Sequence, residues 1–223
     1  MYPPYAYRSR QYDSFDLQWA RTVDPTVPVI SLRELKDHAR ISQSQGDATL
    51  LRYIGAATDA AEQYLNRGLV TQTWTLTLRW FADVMYLPMA APLQNGVSTA
   101  PVVKYYDTAG TLQTLATSSY DVDTVSRPGR ILRKANVSWP ALQSGKLGGR
   151  VVITYIVGWT DPSLVPERIK QGIRLYATWL DADRDGMDPN GQRGREAAEA
   201  CWADQVFAIE PTQSVYGYNL CPV

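Results

Sequence analysis

The hydrophobic period of this chain changes twice, and the two changes divide it into a helical frame with a β insertion. Residues 47–68 (DATLLRYIGAATDAAEQYLNRG) carry Leu50, Leu51, Ile54, Ala57, Ala61, Tyr64 and Leu65 at three- and four-residue steps. That spacing lays one apolar stripe along an amphipathic helix. From Thr71 the step drops to two: Trp74, Leu76, Leu78 and Trp80 alternate with threonines and Arg79, as in a half-buried strand. Helix period returns only at Pro166, with Ile169, Ile173, Tyr176, Ala177 and Leu180 on the apolar side. A chain with this order is expected to be α+β, its strands inserted between helices.

Local signals sharpen the boundaries. Ser31 followed by Glu34 is a capping box, in which hydroxyl and carboxylate each satisfy a backbone amide of the first turn, so a short helix is expected over 31–41. The polar stretch 42–46 breaks it, Asp47 is placed to cap the helix over 47–67, and Gly68 is expected to supply its left-handed stop. Between 71 and 160, six or seven antiparallel strands are expected. Asp107-Thr108-Ala109-Gly110 and Arg127-Pro128-Gly129 read as hairpin turns, and Met85 to Leu87, flanked by Pro88, as a short edge strand. Pro166 suits the first turn of a helix over 166–184. Gly172 at the centre of that helix costs about 1 kcal/mol relative to alanine unless a close helix contact uses it, and such a contact is expected. A last helix is expected over 195–209, with Ala198, Cys201, Trp202 and Gln205 on one face, before Pro211 and a tail over 210–223.

Composition narrows the function classes. With 22 basic and 22 acidic residues in 223, the chain is formally neutral, which disfavours a broad face for nucleic-acid phosphates. Cys201 and Cys221 form no CxxC and have no nearby histidine, so neither a zinc site nor a disulfide framework is indicated. No apolar run approaches the roughly 20 residues that cross a bilayer, and no secretory signal pattern opens the chain. Residues 1–28 are unusual for a solvated tail, with Tyr2, Tyr5, Tyr7, Tyr12, Phe15 and Trp19 among prolines and arginines. Disordered segments are normally poor in aromatics, so this segment reads as an extended arm with the means to dock on another surface; arginine with tyrosine could also stack on single-stranded nucleic acid.

No catalytic or cofactor signature is evident. His38, the only histidine, lies beside Asp37 in a short helix, and there is no Gly-x-Ser-x-Gly elbow, P-loop or dinucleotide fingerprint. Asp181, Asp183, Asp185 and Gly186 match the first half of a calcium-binding loop, but the second half fails, with Gln192 where a bidentate glutamate belongs. Asp107, Asp121 and Asp123 could supply a carboxylate pair, yet each lies in or near a turn, where aspartate is common for backbone reasons. Trp74, Trp80, Trp139 and Trp159 raise a carbohydrate platform against the commoner use of such residues in cores and interfaces. No enzyme, cofactor or metal is therefore expected.

Three segments together carry a family resemblance. The capped helix at Ser31, the junction Tyr64-Leu65-Asn66-Arg67-Gly68-Leu69-Val70-Thr71-Gln72-Thr73-Trp74, and the strand Val151 to Trp159 followed by Val165-Pro166-Glu167-Arg168-Ile169-Lys170-Gln171 resemble the head-tail connector (adaptor) proteins of long-tailed bacteriophages and gene transfer agents. The resemblance spans roughly residues 28–185 and lies in element order and junction wording. It implies a structural virion protein made in the host cytoplasm and mounted at the head-tail interface. There a ring of about twelve copies beneath the portal would continue the DNA channel and join the portal to stopper or tail-completion proteins. It also implies a division into an arm (1–28), a helical connector domain (29–70 with 164–209), an inserted β domain (71–160) and a C-terminal tail (210–223). Partner contacts are expected from Trp202, Phe207, Tyr216 and Tyr218 at one end and from Tyr5, Tyr7 and Trp19 at the other. The alternative is a β domain that binds a carbohydrate or a host surface.

Overall fold

The computed structural model describes residues 17–44, 46–89, 100–126, 128–145, 149–183 and 192–205. Its architecture is α+β, with four helices and two antiparallel sheets that enclose two separate cores.

The helical core is built from α1 (Leu32–Ala39), α2 (Asp47–Leu65), α3 (Glu167–Ala182) and α4 (Gln192–Trp202). The expected capping box is present in α1: Glu34 N donates to Ser31 Oγ at 3.2 Å, and Ser31 N donates to Glu34 Oε2 at 2.6 Å. Helix α2 starts differently from expectation. Gly46, in the left-handed region at φ 96°, takes the N-cap position, and Asp47 becomes the first helical residue. The Asp47 carboxylate pairs with Lys36 of α1 instead of closing on its own backbone. The C-terminus of α2 is also displaced by two residues: Asn66, at φ 52°, supplies the left-handed stop expected of Gly68. Asparagine tolerates that conformation because its short polar side chain costs little there. Leu50, Ile54, Ala57, Ala61 and Leu65 of α2 meet Ile169, Ile173 and Ala177 of α3 in one buried cluster, as the apolar stripes require.

The β region contains seven strands, as its length and turns indicate: β2 (Gln72–Leu78), β3 (Val84–Tyr86), β4 (Val102–Tyr106), β5 (Leu112–Thr114), β6 (Tyr120–Asp123), β7 (Arg130–Arg133) and β8 (Val151–Val157). An eighth comes from outside it. Residues expected to belong to a free arm form β1 (Leu17–Val23), which pairs antiparallel with β2, so Trp19 lies opposite Leu76 and Arg21 opposite Trp74. The larger sheet therefore runs β1-β2-β8-β4-β5 and the smaller β3-β7-β6. Their facing sides enclose Leu76, Leu78, Met85, Val103, Ile131, Val151 and Ile153, and Trp19 packs partly against that cluster. The partly buried Trp19 ring adds an apolar contact with the β core to the backbone pairing of β1 with β2.

The chain leaves the helical core at Leu69 and returns to it at Trp159, and these two crossings are joined. Trp159 N donates to Leu69 O at 3.0 Å, Thr71 N donates to Trp159 O at 3.0 Å, and Val70 and Trp159 form a parallel bridge. Gly158 makes the approach feasible: its φ of 91° suits glycine, and a Cβ there would overlap the Val70 backbone.

Candidate functional site

An extended polar arrangement among the described residues lies at this junction between the two cores. Glu62, on the last turns of α2, is almost wholly buried. Its Oε1 accepts from Leu69 N at 2.7 Å and from Gln72 Nε2 at 2.6 Å, while Oε2 faces Arg21 Nη1 at 3.4 Å. Arg21 in turn reaches Asp59 at 3.0 Å and Asp24 at 2.8 Å. One carboxylate thus ties the helix end, the first strand of the insertion and the N-terminal strand together. Burial pushes its pKa up to about 7, against the hydrogen bonds and the Arg21 charge, which favour the ionised form. Beside it the Arg67 guanidinium lies 4.0 Å from the centre of the Trp159 ring, a cation–π contact between the two crossings. Gly68 is needed for space and not for backbone freedom, since a Cβ there would overlap Val157 of β8 and crowd Gln72.

This arrangement has the character of a clamp. Among the described residues, no three histidine, cysteine, aspartate or glutamate side chains are grouped to hold a metal, and no helix is long and apolar enough to cross a membrane. His38 is exposed on α1. Asp181 sits in the last turn of α3 and Asp183 at its C-cap, while Asp185 and Gly186 of the calcium-like sequence lie outside the described residues. Asp107 and Asp123 are spent on their own turns. Asp107 accepts from Gln113 Nε2 at Oδ2 and from Thr111 N and Ala109 N at Oδ1, and Asp123 accepts from Ser126 Oγ, Ser126 N, Arg130 Nε and Val125 N. These donors hold both carboxyls below the usual carboxylate range, Asp123 far below it. Asp121 pairs with Lys134 at 3.5 Å.

The tryptophans do not form one platform. Trp159 is buried in the helical core, Trp74 and Trp139 pack against the β core, and Trp80 alone among these four is exposed, at 40%. Trp139 stacks on Phe81 at 4.7 Å and donates its indole N–H to Ala82 O.

Of the residues expected to contact partners, Tyr5, Tyr7, Phe207, Tyr216 and Tyr218 lie outside the described residues. Trp19 belongs to β1, as above. Trp202 is a correction to the expectation of a surface anchor: it is 1% exposed, donates its indole N–H to Ile169 O at 3.2 Å, and lies against Gly172. Its ring surface is consumed inside this chain, with Tyr64 and Tyr176 at 5.7 and 5.9 Å between centroids. The close contact expected at Gly172 is therefore real, and Trp202 is what makes it. Sequence inspection missed Glu62, Gln72 and Arg21; the one available signal was a glutamate on the apolar side of α2 next to Ala61 and Leu65.

Comparison with known proteins identifies this junction as part of a shared unit. Residues 29–100 match the family of phage gp6-like head-tail connector proteins, a stretch that runs from the approach to α1 through α2, Glu62, Gly68, Gln72 and β2. Over those residues the chain is similar to the head-tail connector family. Similar folds occur in a chain from the virion of a native gene transfer agent particle, with 22% identity, a TM-score of 0.64, and coverage of 87% of this chain and 98% of that one. They occur also in a chain from the neck of a native gene transfer agent particle computed with C12 symmetry, with 21% identity, TM-score 0.63 and the same coverage. A chain from the neck of an empty particle, computed with C6 symmetry, is 20% identical with TM-score 0.63 and again the same coverage. Among curated proteins, none matches.

Proposed function

We propose that this chain is a connector and works as a closed ring of about twelve subunits beneath the portal, joining the capsid vertex to stopper or tail-completion proteins and continuing the channel for packaged DNA. The observation that carries the proposal is the match of 98% of a chain from a twelvefold-symmetric neck onto 87% of this one, together with the family match over residues 29–100. The physical character of the molecule agrees with mechanical work. The Glu62 cluster links elements of the two cores, and Glu62 and Gln72 at its centre are both buried. A chain with zero formal charge also suits a channel through which DNA must slide, because a dense lining of lysine and arginine would grip the phosphates. The terminal aromatic residues Tyr5, Tyr7, Phe207, Tyr216 and Tyr218 remain the proposed partner contacts.

Light scattering of the purified protein, alone and mixed with portal rings, tests the proposal. A ring-on-ring complex is expected even if the free protein is monomeric. A chain that stays monomeric and ignores the portal refutes it.

A further inference from the structure

The larger sheet has two faces, and the β core uses only one of them. Leu76 and Leu78 of β2 and Val151 and Ile153 of β8 point into that core. The register gathers the alternate residues on the other side: Thr73, Thr75 and Thr77 lie opposite Ile156, Thr154 and Val152. On β1, Thr22 Oγ1 comes within 3.3 Å of Thr75 Oγ1, which puts Thr22 on this side, and Ala20, opposite Thr75, with it. Val102 of β4, opposite Thr154, is 41% exposed, and Leu112 of β5, opposite Tyr106, is 45% exposed. Among the described residues, no apolar side chain of this outer face belongs to either core or packs against one.

What the face lacks is charge. The outward side of an antiparallel sheet is ordinarily its polar side. This chain is 20% charged, yet Lys104 is the only charged residue that the five strands direct there. Five strands about 4.8 Å apart, each with about three outward side chains, make a plane of roughly 20 by 20 Å. That is the size at which an exposed patch marks a contact, and about half of the roughly 800 Å² that each partner buries in a stable interface.

The composition selects the occupant. Duplex phosphates need several cations, and one lysine does not make a track. A glycan needs rings to stack on, and Trp19, Trp74 and Trp139 pack toward the β core instead, leaving Tyr106 alone on this side. Partners that come and go meet surfaces about as polar as the rest of a protein, whereas copies of one chain that stay together bury faces richer in apolar area and poorer in charge. We infer that the outer face of the larger sheet, centred on Thr75 and Thr154, is buried against the next copy of this chain in the ring. The contact is head-to-tail, so the face meets a different surface of its neighbour, and every copy repeats it until the ring closes. The inference rests on the ring proposed above and supplies one side of its subunit contact.

Thr154 sits mid-face, between Thr75 and Val102, and belongs to neither core. Thr154→Arg is therefore expected to keep the circular dichroism of the parent while raising the concentration needed for assembly on portal rings at least about a hundredfold, because docking would bury an unpaired charge. A photo-crosslink from the rim identifies the occupant without any change at Thr154, so it decides the matter even if that variant misfolds. Ala20→Cys, exposed on β1, is placed in a Cys201→Ser, Cys221→Ser background and labelled with benzophenone maleimide. In the complex with portal rings it is expected to join two copies of this chain. Assembly of a folded Thr154→Arg like the wild type overturns the inference, as does a crosslink to the portal or one confined to a single chain, and each of these leaves the ring in place. Failure of the wild type itself to form a ring on the portal removes the functional proposal and this contact with it.

Discussion

Replacing Gly172 by alanine sets two known effects against each other, and the structure decides between them. Helix propensity alone favours alanine over an interior glycine by about 1 kcal/mol, so on sequence grounds Gly172→Ala should stabilise α3. The new methyl group, however, would overlap Trp202 Nε1 and lie 2.7 Å from Cε2 and 2.8 Å from Cδ1. The indole is enclosed, so it cannot simply swing away, and forced overpacking of this kind costs about 1–3 kcal/mol. Displacing the ring also breaks its hydrogen bond to Ile169 O, a further contribution of about 1 kcal/mol. The net expectation is destabilisation by about 1–3 kcal/mol, read as a lower urea midpoint in the helical circular dichroism signal.

A double-mutant cycle isolates the cause. Trp202→Ala is expected to cost about 3–5 kcal/mol by itself. In that background the obstacle is gone, and Gly172→Ala should reverse sign and stabilise by about 1 kcal/mol, giving a coupling of about 2–4 kcal/mol between the two sites. Stabilisation by Gly172→Ala in the otherwise unchanged protein would refute the packing of α4 on α3 described here, and with it the assignment of Trp202 to the core.

Other expectations concern the junction and one hairpin. Glu62 has a folded-state pKa of about 7 against an ordinary 4.5, so between those values the folded protein retains a proton that the unfolded chain has released. Its contribution to stability is therefore greatest below about pH 4.5 and declines as pH rises to about 7, by up to about 3 kcal/mol; urea titrations of Glu62→Gln across that window should lack this decline. Arg21→Leu removes the cation facing Glu62, and hydrogen exchange should show β1 opening more readily while the titration of Glu62 moves further upward. Asp123→Ala deprives Val125 N, Ser126 N and Arg130 of their acceptor, and faster exchange confined to the β6–β7 turn is expected, with a loss of about 1–2 kcal/mol. Unchanged exchange at those amides would show that the turn does not depend on Asp123.

The elements legible in the sequence are those whose period and caps agree. The stripe of α2, the Ser31 capping box, the Asp107 turn and the alternation of β2 each depend on neighbours within a few residues, and each is present. What escaped notice depends on distant partners. Strand β1 carries no turn signal and is held by Trp19 against a core assembled from residues more than fifty positions away. Trp202 looks like a surface anchor as part of a short helix rich in charged residues, and only the glycine of another helix reveals where its ring goes. The exchange of roles between Gly68 and Asn66 has the same origin. Gly68 is small because β8 passes over it, a fact about residue 157 that no local pattern contains.

An insertion is joined covalently to its frame by the two segments that enter and leave it, and here those segments are hydrogen-bonded to each other at Leu69, Thr71 and Trp159. If that pairing transmits the orientation of the sheet to the helices, the residue whose alteration should matter most is Gly158, far from every titratable group of the Glu62 cluster in sequence. Its φ of 91° is one that an alanine adopts only with strain of about 1 kcal/mol or more. The added methyl would also meet the backbone of Val70, which cannot rotate out of the way as a side chain could. We expect Gly158→Ala to cost about 2–4 kcal/mol and to loosen the two cores from one another, because the crossing must widen to admit the methyl. Thermal unfolding followed separately by helical circular dichroism and by the β-sheet amide I infrared band should give coincident transitions in the parent protein and separated ones after the change. Coincident transitions in both would mean that the cores are held together elsewhere and that the paired crossings are only a passage.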